Sequence, residues 1–294
     1  MVLTLRALEG IASAGWLGGA AGHLLHRHHT ASVPNEGSIM TQTLSGTVAL
    51  VTGASSGIGA ATGRELARQG AAVALVARRK ERLDELAAEI QAESGRAVAI
   101  AADITEQNQA IDAVERTVAE LGRLDTVVNN AGVMLLGPVL GAPTEEWDRM
   151  ISLNLQGLLY VSHAALPHLV TAAGSGPREV ADLVNISSVA GRRAQPMSGV
   201  YNLTKFGVNA FTESLRQEIT ERYVRVSVVE PGAVITELVD QVRPEVREQI
   251  LASLVDQEER LLAEDIADGI AYIVTRPRRV AVNELLIRPT AQLR

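Results

Sequence analysis

From about residue 47 onward, apolar positions fall into short solid blocks separated by longer stretches in which they recur every three to four residues. The blocks at 48–52, 72–77, 97–102, 126–128, 182–186, 225–229 and 283–287 have the length and near-continuous Val, Ile, Leu and Ala content of strands buried on both faces. The stretches at 60–69, 81–94, 106–121, 143–169 and 263–275 carry the helical period, as does the segment holding Tyr201 and Lys205, whose later turns run over 213–223. Regular alternation with right-handed crossovers predicts an α/β chain with one doubly wound parallel sheet and helices on both faces. Neither an internal repeat beyond this alternation nor a second core is visible. Residues 233–261 follow a strand end with mixed patterning and read as a lid.

The first 43 residues differ from the rest. Their Gly/Ala-rich run at 11–25 falls short of the ~20 apolar residues of a spanning helix. Only Arg6 precedes the run, Glu9 intrudes, and a histidine-rich segment follows, unlike a secretory signal. The expectation is a disordered or non-native leader over 1–43, with Met40 as the natural start and a domain over 44–294. A membrane-associated or targeting segment is the alternative.

Composition narrows the chemistry. A net charge of −7, with no basic tract and 3% aromatic residues, argues against nucleic acid or anionic membrane as a partner. The absence of cysteine removes disulfides, thiolate catalysis and Cys-ligated metals, and fits a reducing cytoplasm. His23, His26, His28 and His29 read as a solvated tail, so no metal site is expected.

The first strand runs into Gly53-Ala54-Ser55-Ser56-Gly57-Ile58-Gly59 and then a helix. Strand, glycine turn and helix form a phosphate-binding unit in which close backbone approach and the helix N-terminus meet a pyrophosphate. At the end of the second strand, where a dinucleotide fold places a ribose-binding acid, stands Ala77, followed by Arg78, Arg79 and Lys80. A guanidinium there suits a 2′-phosphate, favouring NADP over NAD, although the cations could simply be the solvated start of a helix. Asp103 ends the third strand and could meet an adenine edge. Asn129-Asn130-Ala131-Gly132 ends the fourth, placed for the cofactor or forming an ordinary turn. Asn154 is a polar group in an apolar run and predicts a specific hydrogen bond.

Tyr201 and Lys205 lie four residues apart on one helix face, and Lys205 is one of only two lysines in an arginine-rich chain. A neighbouring ammonium favours a phenolate and predicts a tyrosine pKa drawn toward working pH. Ser188 could hold the oxygen that exchanges the proton. The compact apolar residues Met197, Ala233, Val234 and Leu238, together with Gln195, are candidate substrate walls. Arg192 and Arg193 read as solvated in preference to acid-binding.

Together, the segment 52–59, Asp103, Asn129–Gly132, Asn154, Ser188, Tyr201-x-x-x-Lys205 and Pro231-Gly232, in this order, resemble the short-chain dehydrogenase/reductase family. The resemblance implies a Rossmann-type sheet of about seven strands and an NADP-dependent enzyme acting on CH-OH donors, interconverting an aldehyde or ketone and its alcohol. It implies Tyr201 as general acid/base, Lys205 lowering its pKa and binding the nicotinamide ribose, Ser188 orienting the carbonyl and Asn154 holding a relay water. Cofactor contacts would come from Gly53, Ser55, Ser56, Gly57, Ile58, Gly59, Arg78, Arg79, Asp103, Asn130, Ala131, Gly132, Tyr201, Lys205, Pro231, Gly232, Val234 and Thr236. The tail 282–290 is similar to clavaldehyde dehydrogenases and NADP-dependent 3-hydroxy-acid dehydrogenases, which implies a homotetramer, with a homodimer as the alternative. Ser56 stands where some NADP-using relatives carry a basic residue, leaving the phosphate to Arg78 alone or with Arg79. A non-catalytic NADP-binding regulatory or scaffold protein is the rival reading.

Overall fold

The computed structural model describes residues 43–253 and 259–293. Within them the apolar blocks form strands β1 (Val48–Thr52), β2 (Ala72–Ala77), β3 (Arg96–Ala101), β4 (Thr126–Asn129), β5 (Ala181–Ile186), β6 (Val224–Pro231) and β7 (Glu284–Ile287). The helices are α1 (Gly57–Arg68), α2 (Lys80–Ala92), α3 (Gln107–Leu121), α4 (Thr144–Ile151), α5 (Leu158–Ser175), α6 (Gly199–Ile219), α7 (Pro244–Ser253) and α8 (Ala263–Val274). All seven strands join one sheet in the order β3-β2-β1-β4-β5-β6-β7, and every pairing is parallel. The order reverses between β1 and β4, so a crevice opens beyond their carboxyl ends. Residues 1–42 of the expected leader over 1–43, with its histidines, lie outside the described residues.

Side chains alternate between the two faces of each strand, and a core forms on each. Val51, Val73 and Leu75 pack with Leu66, Leu83, Ile266 and Ile270 from α1, α2 and α8. Leu50, Val76, Val127 and Leu183 pack with Val114, Leu169 and Leu215 from α3, α5 and α6. Among the described residues, no helix is long and apolar enough to cross a membrane.

Two departures from the predicted elements matter for the site. The expected helix over 143–169 is interrupted, because its hydrogen-bond ladder widens into a π-turn over Ser152–Gly157. Asn154 lies inside that turn and is buried; its amide group binds the main chain of Val133, which replaces the helix's own geometry with a cross-link to the end of the β4 segment. Next, the segment after β6 is tied at its base. Leu261 N donates to Ala233 O at 3.0 Å and Ile235 N to Leu261 O at 2.8 Å, forming a parallel bridge between Val234 and Leu261. The predicted lid therefore leaves and rejoins the body at one place.

At the opposite end of the sheet, buried Arg225 on β6 grips fully buried Asp182 on β5 through two bonds, Nε to Oδ1 at 2.7 Å and Nη2 to Oδ2 at 2.9 Å. Its remaining donors reach the carbonyls of Val280 at 2.7 Å and Arg276 at 3.0 Å, just past α8. Arg178 adds a further bond to Asp182 at 3.1 Å. One carboxylate thus anchors β5, β6 and the exit from α8.

Candidate active site

The glycine turn after β1 is built for backbone approach. Gly53 has φ +67°, which disfavours any side chain, and a Cβ there would lie 2.8 Å from Ala131 Cα. A Cβ on Gly59 would lie 2.4 Å from the Gly53 carbonyl oxygen, closing the cradle between strand and helix. Ser56, extended at the start of α1, makes no side-chain cap, and no acid stands in the first turn. That leaves the first-turn amides to an anion. Thr52 joins this turn to its neighbour: its Oγ1 accepts from Asn130 N and Ala131 N, each at 3.0 Å, while Asn130 Nδ2 donates to Thr52 O at 2.9 Å. These features fit a dinucleotide whose diphosphate runs over the glycine turn.

Around the rim, Arg79 donates from Nε to Ser55 Oγ at 3.1 Å and from Nη2 to Ser56 Oγ at 2.7 Å. Arg78 is more exposed and stands 3.9 Å from Asp103, whose Oδ1 accepts from the Thr105 amide and hydroxyl. Lys80 turns away to Asp84, so only the two arginines remain beside the turn. Ile58 and Val234 pack on the same core face, and the Thr236 methyl would lie 3.1 Å from a Cβ on Gly57. Pro231-Gly232 is fixed by β7 and the following tail: Gly232 N donates to Ile287 O at 2.7 Å and Ala233 N to Gln292 Oε1 at 2.9 Å.

Across the crevice, β5 delivers Ser188 and α6 delivers Tyr201 and Lys205. The Ser188 hydroxyl accepts from Ala190 N at 3.1 Å and stands beside the buried Tyr201 phenol, whose ionised form it favours. Lys205, also buried, donates from Nζ to Ile186 O at 2.9 Å, with its ammonium 5.8 Å from the centre of the Tyr201 ring. Burial pushes the phenol up to about 12, only partly opposed by Ser188, and pulls the ammonium down to about 8. The sequence-based expectation of a lowered tyrosine pKa is therefore reversed in this state. Desolvation sets the shift of each group, and the ammonium rests on the Ile186 carbonyl instead of on the phenolic oxygen. Gly132 closes the back of the site: a Cβ there would be 3.3 Å from Asn154 Oδ1 and 3.8 Å from Lys205 Nζ.

The short chain dehydrogenase family model matches residues 47–247. The chain is a member of the short-chain dehydrogenase/reductase family. An uncharacterized oxidoreductase of Listeria monocytogenes is 36% identical over 252 residues, 85% of this chain and 99% of the relative. A serine dehydrogenase solved in its closed form with NADP+ superposes with TM-score 0.74 at 31% identity, covering 84% of this chain and 96% of that one. A 3-ketoacyl-(acyl-carrier-protein) reductase from Brucella melitensis, solved with NADH, gives TM-score 0.72 at 29% identity over 84% and 98%. This short-chain dehydrogenase/reductase is an oxidoreductase that uses a nicotinamide cofactor and acts on a small molecule.

The fold brings the sequence-predicted residues of this dehydrogenase/reductase to one crevice, with two changes of part. Asn154 is committed through its side chain, accepting from Val133 N at 2.8 Å and donating to Val133 O at 2.9 Å and Thr204 Oγ1 at 3.2 Å. Arg192 is exposed but also paired: Nε binds buried Glu230 at 2.6 Å and the guanidinium pairs with Glu284 on β7. This pins the loop after Ser188 to the β6–β7 edge and leaves Arg192 unsuited to an acidic substrate. Thr52, Thr204 and Glu237 were not foreseen as site residues. Thr52 ends an apolar strand just where the glycines begin, which was a usable signal; Thr204 and Glu237 find partners far along the chain. Among the described residues, no group of three or more His, Asp or Glu could hold a metal.

Proposed function

We propose that this enzyme interconverts a small aldehyde or ketone and its alcohol with NADP(H), using Tyr201 as the general acid/base. The observation that carries the reading is buried Tyr201 and Lys205, with half-buried Ser188 beside the phenol, facing a glycine cradle across one crevice. The cofactor, when bound, supplies the hydride. The chain's own groups handle the proton: Ser188 holds the carbonyl oxygen, Tyr201 protonates it, and Lys205 supplies positive charge beside the phenol and a donor for the ribose. Asn154, with both side-chain polar atoms engaged, positions the Val133 segment against α6. Ala77 in place of an acid, with Arg78 and Arg79 beside the turn, supports NADP over NAD.

Tyr201 is packed among Val133, Leu135, Met150, Met197 and Trp147, an apolar wall that favours a compact organic carbonyl. Homotetrameric assembly is carried over from the family; exposed Leu203 and Phe206, one turn apart on α6, are consistent with a covered face. The test is NADPH and NADH consumption against a panel of aldehydes, ketones and 3-oxo acids. NADPH turnover with at least one is expected. Tight NADPH binding without turnover on any would replace this reading with a non-catalytic binding protein.

The pH profile should separate the two directions. A phenol held near 12 is already protonated at neutral pH, so reduction needs only the Lys205 ammonium, which is lost as pH rises through about 8. Reductive kcat/KM is expected to be flat from about pH 6 to about pH 7, to be halved near pH 8 and to fall about tenfold per pH unit beyond it, while oxidation, which needs phenolate, climbs across the same range. Initial rates in both directions measure this; a reductive rate that rises with pH contradicts it.

A further inference from the structure

Glu237 has no part in the chemistry above, yet it reaches into the cofactor rim. It begins the short turn Glu237–Gln241 and places its carboxylate 2.9 Å from Arg79 Nη1. The same guanidinium is held on its other edge by Ser55 and Ser56. Three of the five N–H donors of an arginine are thereby engaged above the glycine turn, one of them by an acid 158 residues away in sequence. The backbone bearing Glu237 has little room to retreat toward the sheet, because neighbouring Thr236 already packs on Gly57. Arg79 and Ser56 hold the carboxyl below the usual carboxylate range, so it is ionised at neutral pH, and Arg82 adds positive charge nearby.

A carboxylate on Arg79 occupies the donors that a 2′-phosphate would seek and repels a dianion placed beside it. We propose that Glu237 is a specificity-determining residue that competes with the cofactor's 2′-phosphate for Arg79, so that the phosphorylated cofactor binds only by displacing this internal carboxylate. The inference rests on the dinucleotide reading of the glycine turn. In it, Arg78 and Arg79 provide the attraction for the phosphate, and Glu237 sets how far that attraction exceeds the affinity for the unphosphorylated form. Both partners are about half exposed, so the competition weakens as salt screens it.

Calorimetric titration of the full chain with 2′,5′-ADP and with 5′-ADP isolates the 2′-phosphate without any turnover. For Glu237→Gln, the dissociation constant of 2′,5′-ADP is expected to fall roughly five- to tenfold at low salt, with 5′-ADP within about twofold of wild type. Glu237→Ala should act in the same direction, which guards against an effect of the glutamine itself. Unchanged or weaker 2′,5′-ADP binding in both variants, with 5′-ADP still bound, overturns the proposal and leaves the dinucleotide reading intact. A wild-type protein that binds neither nucleotide nor NADPH removes both. Unchanged thermal melts would show that the variants remain folded.

Discussion

Tyr201→Phe is expected to lower kcat by about 10²- to 10⁴-fold, the usual contribution of a positioned proton donor, while the NADPH dissociation constant stays within about twofold. The ring is buried and packed by Val133, Met150 and Val200, so removing a single oxygen preserves shape and leaves the apolar wall in place. What disappears is the donor itself and the partner of Ser188, whose hydroxyl keeps its bond from Ala190 N and stays ordered. The loss should therefore fall on kcat and not on binding. Stopped-flow hydride transfer and a fluorescence titration of NADPH measure the two quantities separately. Near wild-type turnover in the variant would take the proton-transfer role away from Tyr201.

The second large effect is on stability. Arg225→Ala should destabilise the fold by about 3–5 kcal/mol, the usual cost of leaving one member of a buried ion pair without its counter-charge. Asp182 is fully buried and would keep only Arg178, while the carbonyls of Val280 and Arg276 would lose their charged donor. Arg225→Lys should recover only part of this, because a single ammonium cannot span both carboxylate oxygens and two carbonyls at once. By contrast, breaking Arg64–Glu89, which also has two short bonds but lies at the surface, should cost about 0–1 kcal/mol. Denaturant midpoints for the three variants decide the ranking. A cost for Arg225→Ala no larger than for the Arg64 variant would mean that water enters and satisfies Asp182.

Much of this arrangement can be read from the chain before any coordinates, for a physical reason. Parallel strands buried on both faces must be apolar nearly throughout, so 48–52 and 72–77 announce themselves, and the glycines that follow 52 have to be where the backbone turns. Tyr201 and Lys205 were visible because helical spacing is local. Interactions between distant segments were not. Arg225 looks like one polar residue in a strand until Asp182 and the carbonyls beyond α8 come beside it. Asn154 predicted a specific partner, but no spacing rule points from it to Val133 or forecasts a π-turn. The tyrosine pKa was misjudged for the same reason, since proximity in sequence says nothing about how dry a site is. Lys80, grouped with the arginines by position alone, turns out to serve Asp84 one helical turn ahead.

The bridge between Val234 and Leu261 makes the intervening stretch a cassette. Its two ends meet in a pair of main-chain hydrogen bonds that depend on no particular side chain, next to the crevice but off the seven-stranded sheet. Changes of length between those ends leave the sheet order intact, because no strand of the sheet runs through the loop. Val242 and Val246, however, pack in the cluster that holds Tyr201, and Glu237 pairs with Arg79, so exchange of the loop also reshapes the wall beside the phenol and the cofactor rim. For an engineer, this is a cut-and-splice point at which substrate preference can be changed, provided that the apolar packing of Val242 and Val246 and the carboxylate of Glu237 are carried into the graft.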